Sequence, residues 1–249
     1  MKTVKAFFDD FTFHARVMPI IVLFMPILVI GVTKGILQAS WFESAVTSFI
    51  GLSFLSITSK IARNLGKEYE KRMYKQLGGM PSTIVLRFSD DTFDDITKQR
   101  YHKKLNQLQG LTLPLNKDGE TVADDQQYIS ASNVLRNYAN TNRDKEPLVY
   151  QELKEYNYWR NLYGTKRIAL LLYLMIALKE ILLLEEFSLT DAFLHPYPDY
   201  ICLIVILTCI IVLIFFVNQK TVIQKGFDYA KSLAEVCERM PVDMESKVL

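Results

Sequence analysis

The sequence predicts a mainly α, polytopic membrane protein in which two transmembrane helical hairpins flank a small, mostly helical cytoplasmic module. Three observations predict it. Half of the 249 residues are hydrophobic, and they gather into four long runs. All of the 29 Lys and Arg residues except Lys34 and Lys179 lie outside those runs and their short connections. Between the second and third runs lies Lys60–Arg167, long enough for one small domain.

The first run is Val17–Thr33, "VMPIIVLFMPILVIGVT", with Pro19 and Pro26 seven residues apart on one helix face. Prolines break soluble helices, but membrane helices tolerate them. A signal peptide is the competing reading, since Lys2, Lys5 and Arg16 precede the run. Asp9 and Asp10 in that cationic stretch, and the lack of an A-x-A-like site after it, speak against one. Lys34–Ser40 then reads as a turn, and Trp41–Ser59 as the return leg of the hairpin, weakened by Glu43 and many Ser and Thr.

The module opens with "KIARNLGKEYEKRMYKQLGG", which continues the second span as a charged helix. Leu65, Tyr69, Met73 and Leu77 form its apolar stripe, Gly78-Gly79 ends it and Pro81 follows as a breaker. "STIVLRF" (82–88) is β-branched and reads as a short strand, although nothing obvious pairs with it. The acidic loop 90–95 caps a helix over 96–109 that closes at Gly110. Residues 123–141 form the next helix, with Tyr128, Ala131, Leu135 and Tyr138 as its buried stripe. After the turn "NRDKEP", a long helix from Pro147 runs up to the third span, bent at Gly164.

The third run, Ile168–Leu184, carries Lys179 and Glu180 near its far end, where a lysine can snorkel to the interface. A re-entrant or interfacial helix is the alternative. The fourth, Ile201–Val217, is uncharged, with Thr208 its single polar residue and Tyr200 and Lys220 as interface anchors. A soluble domain rarely buries such a stretch on every side. Val222–Met240 is a final amphipathic helix. The expected organisation is therefore 1–59 (tail and spans 17–33 and 41–59), 60–167 (module), 168–217 (spans 168–184 and 200–217) and 218–249 (tail helix). The positive-inside bias places both termini and the module in the cytoplasm of a cell with a plasma (inner) membrane. The 180–199 loop is acidic instead. Two continuous helices would carry a change in the module to the spans.

Catalytic constellations are absent. No Gly-x-Ser-x-Gly, His-Glu-x-x-His or phosphate-cradling P-loop occurs, so no catalytic residue and no cofactor is expected. Cys202, Cys209 and Cys237 make neither a disulfide framework nor a zinc or haem motif. The carboxylates Asp90, Asp91, Asp94 and Asp95 lack EF-hand spacing and suit a capping loop.

The cationic stretch "RYHKKLNQL" (100–108) offers either an anion-binding edge or a solvated helix face. Tyr101, Leu105 and Leu108 share its apolar side, and His102 sits beside them. Candidate ligand-binding residues are Arg100, His102, Arg136, Arg143, Asn157, Arg160 and Asn161, because arginines among aromatics pair with phosphate and stack on a base. The same residues suit a hydrogen-bonded core, an ion-pair network or an interfacial aromatic belt.

"LGGMPST" (77–83), "RYHKKL" (100–105), "ADDQQYISASNVLRNYANTNRD" (123–144) and "PLVYQELKEYNYWRNL" (147–162) resemble a family of bacterial four-span membrane proteins of uncharacterised activity. Ser82, Asn142 and Leu153 depart from its pattern. The resemblance covers most of the module and implies the inner-membrane architecture, but it assigns no chemistry to any residue. The expected function is that of a non-enzymatic effector or sensor. Its module binds a ligand or partner, and its spans oligomerise and alter permeability, an architecture like that of bacterial antiviral membrane effectors. Expected partners are the bilayer, further copies of the chain, and an anionic small ligand or a cytoplasmic protein; no nucleic-acid duplex is expected. A scaffold for a soluble partner is the alternative. A transporter or membrane-bound enzyme is disfavoured, since no span carries an ionisable residue at its centre.

Overall fold

The structure, a computed structural model, describes residues 9–33, 41–121, 125–183 and 198–241. The expected turn 34–40, residues 184–197 of the acidic loop, the start of the helix at 123–124 and the side chains of Ser44, Thr47 and Ser48 lie outside the described residues. Among the described residues the chain is helical, with no strand.

A helical turn (Asp10–Thr12) and a π-helical turn (Phe13–Val17) lead into α1 (Met18–Thr33). A π turn interrupts the regular i→i−4 ladder. Here Asn161 Nδ2 donates to the Ala15 carbonyl at 2.7 Å. Pro26 stays inside α1, and the nearby Leu23 carbonyl accepts the Tyr173 hydroxyl.

The predicted second span and the charged stretch after it are one helix, α2 (Trp41–Leu77). It stops where Gly78 takes φ +75°, a left-handed conformation that glycine adopts without strain, and the Gly79 N–H reaches back to the Tyr74 carbonyl at 2.9 Å. The expected strand at 82–88 does not form. Pro81 opens a short helix, α3 (Pro81–Ile84), and turns follow. A lone strand would leave its backbone groups unpaired. Local bonds satisfy them instead: Ile84 N–H to Met80, Val85 N–H to Pro81 and Arg87 N–H to Ile84.

The Asp94 carboxylate caps α4 (Asp95–Gln109) by accepting the Thr97 N–H at 2.8 Å, and Gly110 closes it at φ +60°. Next come α5 (Asp125–Thr141), α6 (Pro147–Leu183), α7 (Pro198–Phe215) and α8 (Gln219–Arg239). Helix α6 runs unbroken through Gly164, where a bend is expected from the sequence. That glycine serves close approach instead: a Cβ there would lie 2.5 Å from the Gly66 nitrogen of α2.

The chain divides into two compact units. Unit 1 comprises Met1–Glu70 and Asn157–Val222, and unit 2 comprises Lys71–Tyr156 and Ile223–Leu249. The expected borders were 59/60 and 167/168. The two compact units divide at 70/71 and 156/157, and the Gly66–Gly164 approach, the Arg160–Glu70 ion pair (3.0 Å) and Asn161 on Ala15 lie within unit 1. The core of unit 1 gathers Ile20, Leu23, Leu162, Tyr173 and Ile206.

In unit 2, Tyr101 and Leu105 of α4 meet Tyr128, Ala131 and Leu135 of α5 and Ala230, Leu233 and Cys237 of α8. The tail helix is thus one wall of this core. Tyr138 is only half-buried, and Ala139 takes the next buried place on α5.

One helix among the described residues, Asp10–Gly31, is by itself long and apolar enough to cross a bilayer, with a mean hydropathy of 2.1 over its best window. Ile201–Phe215 meets that standard only when taken together with Gln219–Arg239.

Candidate functional site

The residues singled out in the sequence do not converge. Arg160 and Asn161 belong to unit 1. Arg160 pairs with Glu70 and also hydrogen-bonds Asn161, which in turn holds the Ala15 carbonyl. Asn157 is half-buried on the same helix.

The other four lie in unit 2. Arg100 is exposed and pairs with Glu238 at 2.6 Å. It lines an open groove of about 330 Å³ with Tyr101, Lys104, Cys237 and Glu238. The cations of that groove already have acceptors, because Lys104 Nζ donates to the Glu238 carbonyl at 3.1 Å. Arg143 lies exposed over the Tyr150 ring at 5.3 Å.

His102 is fully buried. Its Nδ1 faces the Pro114 carbonyl at 2.6 Å and its Nε2 the Leu86 carbonyl at 2.8 Å. Phe88 stands edge-on to the ring at 5.1 Å, and Tyr128 is tilted at 5.6 Å. Burial lowers its pKa; the two carbonyls and Glu120 oppose that shift, and Lys98 adds to it. His102 therefore ties the turns at 86 and 114 to α4.

Arg136 is placed differently. Ser132 and Arg136 are four residues apart and share one face of α5. That face meets α3, which the glycine pair and Pro81 set against it. One nitrogen, Arg136 Nη2, donates to Ser82 Oγ at 2.8 Å and Ser132 Oγ at 3.1 Å, with Met80 Sδ at 3.5 Å. The two serine hydroxyls share a hydrogen bond of 2.8 Å and are both buried. Tyr229 of α8 lies within reach of the Arg136 charge: burial raises its phenol pKa and Arg136 counteracts this. Its ring stacks on Tyr156 at 6.4 Å with the planes 7° apart.

A donor count sets this corner apart. A guanidinium carries five N–H donors, of which Nη2 supplies two. Arg136 Nε and Nη1 bond to no protein acceptor among the described residues, and Arg136 pairs with no carboxylate there. One hydroxyl hydrogen of the serine pair is likewise left over among the described residues. Four other arginines are differently placed. Arg87, Arg100, Arg160 and Arg239 pair with Asp125, Glu238, Glu70 and Glu146 at 2.8, 2.6, 3.0 and 2.7 Å.

Sequence reasoning named Arg136 but missed Ser82, Ser132 and Tyr229. The i, i+4 spacing could have found Ser132; no local signal marks the other two, which come from distant segments. Among the described residues no three His, Cys, Asp or Glu side chains are grouped to hold a metal ion. No protein-family model, curated protein or solved structure matches the chain.

Proposed function

We propose that the protein is an integral inner-membrane protein of non-enzymatic type, a sensor or effector. Unit 1 lies in the bilayer with four spans, and unit 2 is a cytoplasmic module that binds a ligand or partner and alters membrane permeability. The observation that carries this is where large apolar side chains face outward. Among the described residues, unit 1 exposes them in rows: Val22, Met25 and Leu28 on α1, Leu171, Leu174 and Leu178 on α6, Ile204, Leu207 and Ile211 on α7. Unit 2 exposes only Ile96, Leu115, Ile129 and Leu148, scattered singly. Single exposed apolar residues are ordinary, whereas contiguous rows mark a surface meant for lipid or a partner. The rows recur in steps of three or four residues, so each makes a continuous apolar stripe along its helix, and that favours lipid.

Two measurements test the proposal. Carbonate extraction of bacterial membranes should leave the protein in the pellet, and a Leu174→Cys variant should resist a membrane-impermeant maleimide that labels Ile96→Cys once the cells are opened. Release by carbonate would overturn the membrane assignment. Expression should depolarise the membrane and admit propidium iodide; intact membranes with the protein correctly inserted would overturn the permeability role and favour a scaffold.

A further inference from the structure

We propose that Arg16 and Arg63, at one end of the unit 1 helices, form a binding site for the phosphate of an anionic phospholipid in the cytoplasmic leaflet. This rests on unit 1 lying in the bilayer. Three observations, all within unit 1, lead to the site.

The first is convergence. Arg63, Gly66 and Glu70 stand at i, i+3 and i+7 and share one face of α2. That face meets α6. Glu70 Oε1 accepts from Arg160 Nη1 at 3.0 Å, and a Cβ on Gly66 would lie 2.6 Å from Asn161 Oδ1 and 3.1 Å from the Arg160 carbonyl oxygen. Asn161 in turn donates to the Ala15 carbonyl at 2.7 Å, which brings the next residue, Arg16, to the same junction. Arginines from three separate segments therefore gather at one level of the unit. In keeping with this, the charges of Arg63 and Arg160 both repel the Arg16 cation, and Asp9 attracts it.

The second is charge. Arg160 is buried and Glu70 neutralises it. Arg16 and Arg63 are half-buried, and among the described residues neither makes an ion pair. The carboxylates beside Arg16 are engaged: Asp9 accepts the Thr12 N–H at 3.4 Å, and Asp10 faces His14 Nδ1 at 3.1 Å. The Arg16 guanidinium lies over the Phe11 ring at 5.9 Å instead. A single arginine without a carboxylate is ordinary at a surface. Two that are held near a third and partly out of water repel one another, and a bound anion removes that cost.

The third is depth, which selects the source of the anion. Phe54, Ile57 and Ile61 face outward on α2 just before Arg63, and Val22, Met25 and Leu28 face outward on α1 just after Arg16. The two cations thus stand where both apolar rows end. A phospholipid matches that arrangement, with acyl chains along the rows and its phosphate at the guanidinium groups, whereas a soluble anion has no use for the rows. Basic pockets between spans on the cytoplasmic side hold acidic headgroups in this way, and guanidinium suits phosphate oxygens.

The test uses the full chain in neutral detergent micelles, with phosphatidylglycerol as the probe and phosphatidylcholine as the control. Phosphatidylglycerol should raise the thermal midpoint in a saturable way, and phosphatidylcholine should not. Arg16→Gln and Arg63→Gln should each weaken the apparent affinity about fivefold, the loss expected for one cation at a membrane surface. The double variant should abolish the rise. Lys103→Gln, which removes one exposed charge from unit 2, should leave it unchanged. Arg160 is kept throughout, because it joins α6 to α2. Without lipid, each variant should melt no lower than wild type, since a repelling charge is gone.

No rise in wild type, or an equal rise in wild type and the double variant, would overturn the site. So would an equal loss in Lys103→Gln, which would make the effect one of net charge. A lower midpoint of the lipid-free variants would show that protein contacts already complete these arginines, and would overturn the charge argument. Glycerol phosphate raising the midpoint as much as the lipid would overturn the lipid as the ligand in favour of a soluble anion. If phosphatidylglycerol fails while the protein still pellets with carbonate-washed membranes, the lipid site is wrong and the membrane assignment stands. Release by carbonate removes the membrane assignment and the lipid site with it.

Discussion

Breaking the Glu146–Arg239 pair should cost very different amounts depending on which partner is removed. Arg239 Nε and Nη2 reach both carboxylate oxygens of Glu146, with contacts of 2.9 and 3.1 Å from Nε and 2.7 Å from Nη2. The Glu146 side chain is 2% exposed and that of Arg239 45%. Removing Arg239 strands a carboxylate that water does not reach, a loss of 3–5 kcal/mol for a fully buried pair. Because the arginine end is half in water, Arg239→Met should cost about 2–3 kcal/mol. Glu146→Gln leaves a guanidinium that can turn to solvent and still donate to an amide oxygen, so it should cost about 0.5–1.5 kcal/mol.

Cys237 supplies the assay. It is buried in the unit 2 core, and burial pushes its thiol up to about 12, so alkylation waits for local opening. Where reclosing outpaces labelling, the rate follows the opening equilibrium, at tenfold per 1.4 kcal/mol. Peptide-mapped labelling at residue 237 should therefore accelerate about 30- to 150-fold in Arg239→Met and about 2- to 10-fold in Glu146→Gln. The double variant should return most of the way to the slower rate, since the stranded charge is gone. A double variant as fast as Arg239→Met, or two single variants of equal rate, would refute the reasoning.

Two further outcomes follow from the geometry. Burial lowers the His102 pKa below its ordinary value, so the unfolded chain takes up the proton first. Stability from this group is complete above about pH 6.5 and is lost as the pH falls below it. Cys237 labelling should speed up from pH 7.5 to 5.5, after correction for thiolate fraction, and His102→Gln should flatten that dependence. Slower labelling in acid would mean that the Pro114 and Leu86 carbonyls and Glu120 hold the ring as imidazolium against burial and Lys98. In unit 1, Gly164→Ala places a Cβ 2.5 Å from the Gly66 nitrogen and 2.7 Å from its Cα, backbone atoms that no rotamer can move. It should lower the thermal midpoint in detergent by the equivalent of at least about 1–3 kcal/mol. Gly51→Ala, with nothing within 4 Å, should be neutral or stabilising. Equal midpoints for the two would show that α2 and α6 do not approach as described.

The helices of unit 2 were legible because their limits are set by local chemistry. Asp94 as a cap, the glycines at 78 and 110, and Pro147 after a turn need no tertiary partner to act. "STIVLRF" misled because β-branched composition reports only fitness for a pleated surface. With no second strand, Pro81 and local hydrogen bonds won. Gly164 was legible only in part: the sequence shows a residue without a side chain but not the Gly66 backbone that needs the space. The candidate site was half legible. Arg136 stands out as the one basic residue of α5, whereas its serine partners come from two segments, 80–82 and 132–136, which only folding brings together.

Both units are stitched from two distant lengths of chain. During synthesis this imposes an order. Helices α4 and α5 emerge long before α8, and until residues 223–240 leave the ribosome, Tyr101, Leu105 and Leu135 lack the wall that covers them. At ordinary elongation rates of roughly 5–20 residues per second, the gap from residue 141 to 240 lasts about 5–20 s. Throughout that interval the apolar side chains of α4 and α5 in unit 2 lack the cover that α8 gives them. A premature stop anywhere before α8 would make that transient state permanent, and such a fragment should be a chaperone or protease client rather than a milder version of the protein.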